Sequence, residues 1–114
     1  MKHITASKAS DLSEILDFVH DRAYELDRIA FDRDARELRI PIKLNDEGLV
    51  CTLIIRAAQD YSVVDKAEIG EGDINTIVFS EGKVLIKGAI PVDITVRVDQ
   101  FDVELVLPPN APVA

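Results

Sequence analysis

A chain of 114 residues with 47% hydrophobic and 30% charged residues has the balance of a folded protein, and its length suits one domain better than two. Its formal charge of −8 is unevenly spread: residues 1–57 carry nine Lys/Arg against eleven Asp/Glu, and residues 58–114 carry four against ten. Such a surface repels phosphate backbones and anionic bilayers, which argues against nucleic-acid and membrane partners.

Residues 1–9 have no apolar period and read as a loose N-terminus. The first twenty residues lack the continuous apolar core of a secretory signal, and no apolar run approaches the roughly eighteen residues of a membrane-spanning helix, so the expected location is the cytoplasm. A helix is predicted next, capped by Ser10 or Asp11, with Glu14 three residues beyond Asp11. Leu12, Ile15, Leu16, Val19, Ala23 and Leu26 fall on one stripe, which carries the helix to about Tyr24 and leaves Asp17 and Asp21 on its wet side.

Strands follow. Residues 26–31 and 37–44 alternate around the polar turn Asp32-Arg33-Asp34-Ala35 and read as a hairpin, with Ile29 and Phe31 pointing inward. Pro41 cannot donate a ladder hydrogen bond, so its strand is expected at an edge or its nitrogen at an unpaired position. Residues 49–55 are apolar on both alternate sets and read as a central strand covered by the helix, with Cys51 as a buried, reduced thiol. Residues 61–69 read as a strand with Tyr61, Val63, Asp65, Ala67 and Ile69 on one side, followed by a loop over 70–73.

The clearest alternation runs from 74 to 107, as four strands over 74–80, 83–90, 92–98 and 101–107. Glu81-Gly82 makes the first hairpin tip, and Gly88 and Pro91 mark a bend. The fold class expected is α+β: one N-terminal helix packed on a curled, mainly antiparallel sheet of about seven strands in a meander, as a half-barrel or a small sandwich. The domain spans 1–107, and a Pro-rich tail over 108–114 is expected to be disordered.

No catalytic, metal-ligating or cofactor-binding constellation emerges. His20-Asp21 would need further histidines to hold a metal, and the chain has two in all. The acids Asp60, Asp65, Glu68, Glu71 and Asp73 fail calcium-loop spacing, since Ala67 and Ile69 fall where ligands are needed. Asp93, Asp99, Asp102 and Glu104 read as outward charge, and the cations Arg28, Arg33, Arg36, Arg39 and Lys43 are diluted by neighbouring acids. Val19-His20-Asp21, leading into Leu26-Asp27-Arg28-Ile29-Ala30-Phe31-Asp32 and Leu38-Arg39-Ile40, resembles the opening of several small bacterial domains, some toxin-immunity proteins among them; the resemblance implies a helix entering a hairpin and assigns no functional residue.

Two functional expectations remain. The first is a non-catalytic protein-interaction or oligomerisation module that takes a second copy or a basic protein, with Glu68, Glu71 and Asp73 as its surface. The alternative is a small-molecule-binding half-barrel, weakly catalytic at most, with Tyr24, Tyr61 and Asp65 lining a pocket.

Overall fold

In a computed structural model describing residues 2–45 and 48–108, the chain is mostly β, with 54% of those residues in strands and 13% in helix. In chain order the elements are β1 (Lys2–Ala6), a 3-10 turn (Ala9–Asp11), α1 (Leu12–Val19), β2 (Ala23–Glu25) and a second 3-10 turn (Leu26–Arg28). They continue with β3 (Ala30–Asp32), β4 (Glu37–Lys43), β5 (Val50–Ile55), β6 (Ala58–Asp65), β7 (Glu71–Asp73), β8 (Thr76–Ser80), β9 (Lys83–Lys87), β10 (Val92–Val98) and β11 (Val103–Leu107). All pairings are antiparallel, in a five-stranded sheet β1-β11-β5-β4-β3, a four-stranded sheet β6-β10-β9-β8 and a ribbon β2-β7.

The expected α+β fold with a single curled sheet of about seven strands is therefore corrected to three sheets and one short helix. Alternation finds strands but not partners. A meander pairs each strand with the next, whereas here β5 runs into β6 through Arg56 and Ala57 and changes sheet on the way. β10 and β11 change sheet in the opposite direction at the same place, and the crossings bond to each other: Asp99 N–H to the Ala57 carbonyl and Arg56 N–H to the Asp102 carbonyl, both 2.9 Å. Ala57 takes a left-handed φ of 54° at this corner, a conformation that costs an L-residue roughly 1–2 kcal/mol.

The inner faces of the two larger sheets enclose one core. Leu38, Ile40 and Ile42 of β4, Cys51, Leu53 and Ile55 of β5, and Val103, Leu105 and Leu107 of β11 meet Ile94 and Val96 of β10 and Val84 and Ile86 of β9. α1 packs against β1 and β8 and closes that seam between the sheets, burying Leu12, Ile15 and Val19. The ribbon reaches β4 on one side and β10 on the other, with the Tyr24 ring fully buried. Among the described residues no helix is long and apolar enough to cross a membrane.

Other boundaries move for local reasons. Residues 2–6 are not loose, because β1 pairs along β11 from Lys2↔Leu107 to Ala6↔Val103. The helix stops at Val19, five residues short of Tyr24: Asp21 adopts a left-handed φ of 65°, its N–H bonds the Ile74 carbonyl at 2.7 Å, and Ala23 enters β2. Pro41 sits in an internal strand opposite Thr52, but the pairing of β4 with β3 ends at Ala30↔Arg39, so the missing N–H falls beyond the reach of β3. The expected two positive-φ residues of a tight hairpin are Glu81 and Gly82. The tail from residue 109, like the turn residues Asp46 and Glu47, lies outside the described residues.

Two substitutions read these constraints. Ala57→Gly is expected to raise stability by about 0.5–1 kcal/mol in urea unfolding, because left-handed strain outweighs the added chain entropy; a loss would remove strain from the corner. Gly72→Ala is expected to cost about 2 kcal/mol or more, since a Cβ there would stand 2.5 Å from the buried Tyr24 hydroxyl.

Candidate functional site

The two larger sheets have four outer strands, and they differ in what lies beside them. β1 and β8 adjoin α1, and β3 is three residues long. β6 is eight residues long and, among the described residues, pairs only with β10. Its free side is closed at one end, where Ala58 N–H bonds the Arg36 carbonyl at 3.0 Å; beyond it the 65–70 loop meets the 3-10 turn through Leu26 N–H and the Gly70 carbonyl, 3.0 Å. Between these ends, residues 59–64 have no backbone partner on the outer side among the described residues. Tyr61 is 37% exposed and Val64 43%.

A cleft of about 430 Å³ lies in this seam between β3 and β6. Phe31 and Tyr61 line it, their rings meeting edge to face at 5.6 Å. Register puts Tyr61 opposite Val96 and Val63 opposite Ile94, so both point to the core side, while Ser62 and Val64 point outward. The polar lining is largely committed. Arg36 pairs with Asp99, which also accepts from the Gln59 amide, and Arg97 makes Nε bonds of 2.9 and 3.0 Å to the Asp60 carboxylate. These bonds hold Asp60 and Asp99 below the usual carboxylate range. Arg33 also lines the cleft and has no partner among the described residues.

The structure does not gather Tyr24, Tyr61 and Asp65 into one pocket. Tyr24 is wholly buried, its hydroxyl has no hydrogen-bond partner among the described residues, and burial, with Asp73 and Asp93 nearby, pushes its pKa up to about 12. Asp65 accepts from Ile69 N–H at 3.0 Å and Gly70 N–H at 2.8 Å, which fixes the loop after β6. Tyr61 alone of the three lines the cleft. The acidic trio also divides: Glu71 pairs with Lys43 at 3.2 Å, Asp73 accepts from Ile90 N–H at 2.9 Å, and Glu68 stays exposed. Three further open clefts surround Lys43 at the ribbon end, where that lysine is held by Glu25 and Glu71.

Phe31, Arg33, Arg36 and Gln59 were not singled out together by the sequence, and no local signal would do so, because β3 and β6 meet only in the fold. His20 Nδ1 lies 3.2 Å from the Asp21 carboxylate, and the ring stands on the surface. Cys51 is buried and its thiol is pushed up to about 11 by desolvation. Among the described residues, no group of three or more His, Cys, Asp or Glu is arranged to hold a metal ion.

The outer face of the five-stranded sheet carries the densest ion network. Arg56 reaches Glu104 at 2.6 Å, Glu37 at 3.4 Å and Asp102 at 3.8 Å; Glu104 also meets His3, and Arg39 meets Glu37 at 3.0 Å. Ile54, only 6% exposed, lies between Glu104 and Arg39 in the register, so their side-chain stems cover this outward apolar residue. The network spans four strands and its carboxylates each have a cation, which marks it as a structural brace.

No family model, curated protein or solved structure matches the chain. The brace gives a pH prediction. The Arg56 hydrogen bond holds Glu104 below the usual carboxylate range, so its contribution is present above the unfolded-state pKa of about 4 and is lost as pH falls through the lower folded value. Glu104→Gln should therefore lower urea stability at pH 7, and the gap from the parent should close towards pH 2; a gap independent of pH would remove ionisation from the explanation.

Proposed function

We propose that the chain is a non-catalytic protein-interaction module that takes an extended segment of another protein onto the free edge of β6. The observation that carries this reading is an eight-residue edge strand with an unpaired outer side over residues 59–64 and with Tyr61 and Val64 exposed along it. An added strand gains main-chain hydrogen bonds from such an edge, and alternate side chains supply selectivity. Proteins ordinarily blunt edges by shortness, charge, bulges or cover. β6 has a register shift near Ala58 and the charge of Asp60, but Asp60 is neutralised by Arg97 and the remaining length is open.

The acidic surface supports a basic partner less well. Of Glu68, Glu71 and Asp73, Glu68 alone has no side-chain partner among the described residues. Less supports the small-molecule alternative: the core is filled by apolar side chains and the clefts described are open to solvent.

The reading is tested by a photo-crosslinking residue in place of Ser62, on the outward face of β6, with the same residue in place of Ser80 as control. In the native host the Ser62 probe is expected to attach a partner chain that the Ser80 probe does not. The purified complex is expected to slow hydrogen exchange at outer-side amides within residues 59–64. Equal adducts from both probes, or unchanged exchange in the complex, would overturn the edge as the docking site.

A further inference from the structure

A strand laid along β6 would project every second side chain to the same side as Tyr61 and Val63, which is the side of the cleft. Those side chains would meet the edge-to-face pair Phe31 and Tyr61 and the charges beside it. In the cleft Asp60 is matched by Arg97 and Arg36 by Asp99, so the cation of Arg33 is left over. Neither acid flanking Arg33 in sequence pairs with it among the described residues: one oxygen of the Asp32 carboxylate accepts the N–H groups of Asp34 and Ala35, each at 3.0 Å, and Asp34 does not line the cleft. A chain of net charge −8 thus keeps, among the described residues, an uncommitted guanidinium beside two partly accessible rings, at the edge where a strand can add.

Resting on the edge-strand reading, we infer that the segment taken by β6 turns acidic and apolar side chains to the cleft from every second position, with a Glu or Asp carboxylate on Arg33 and, two residues away on the same face, an apolar side chain against Phe31 and Tyr61. A guanidinium offers two parallel N–H donors to a carboxylate, so this contact selects an acid over an amide and rejects a second cation. Arg33 is the specificity-determining residue, and the backbone edge supplies the sequence-independent part of the affinity.

The test uses the full chain labelled with nitrogen-15 and three blocked heptapeptides, Thr-Val-Thr-X-Thr-Val-Thr, in which X is Glu, Gln or Lys. All three are expected to shift amides within residues 59–64. The Glu peptide should bind roughly five- to tenfold more tightly than the other two, with a preference that added salt weakens. Arg33→Gln, an exposed substitution in the turn, should abolish that preference and leave signals away from the seam in place. Equal binding of the three peptides would overturn the carboxylate contact while leaving the edge reading standing. No shift at 59–64 with any peptide would overturn both. Shifts there that depend on protein concentration without peptide would make a second copy the occupant and overturn the inference.

Discussion

The structure depends on one corner. There the chain passes from β5 to β6 while, antiparallel to it, β10 passes to β11, and the two crossings exchange backbone hydrogen bonds through Arg56, Ala57, Asp99 and Asp102. The strands on either side of that corner are one bent ladder, β5 and β6 against β11 and β10. Bending the ladder turns what would be a flat apolar ribbon into two faces that cover each other. The ladder can bend because Ala57 accepts a left-handed backbone and because the register slips between Arg97 and Val98 beside it. The same geometry explains the open edge. β5, the sequential neighbour that a meander would give to β6, is in the other sheet, and β10 already occupies the inner side.

Much of the strand content was legible because alternation is a local property. β10 falls on residues 92–98 as its pattern of buried and exposed residues requires, and the tight turn at Glu81 and Gly82 follows from its residue types. Non-local pairing was not legible. Residues 2–6 have too little alternation to announce a strand, yet β11 gives them a ladder to join. Residues 23–25 and 71–73 are three-residue strands that exist only because each is beside the other, with Tyr24 lying over Gly72 where no larger residue fits. The helical stripe through Ala23 and Leu26 was real as periodicity but lost to the Asp21–Ile74 contact, which draws the chain into the ribbon.

The site follows the same division. Tyr61 was visible as an inward aromatic and Phe31 as another, but their 5.6 Å contact joins strands 30 residues apart in sequence and defines the cleft. The charges seen as solvated clusters resolve into specific pairs: Arg36 with Asp99, Arg97 with Asp60, Arg56 with Glu104, Lys43 with Glu71. That pairing turns a chain with no catalytic signature into one with an interpretable surface, since the groups left unmatched stand out against those that brace the fold.

Residue-resolved amide hydrogen exchange of the free protein tests the central claim most directly. A corner-braced fold with an open β6 edge predicts strong protection at Arg56 and Asp99, and along residues 59–64 an alternation in which amides bonded to β10 are slow and outer ones are fast. Uniform protection across 59–64 would mean that the edge is already covered, and rapid exchange at Arg56 and Asp99 would mean that the corner does not hold the two sheets together.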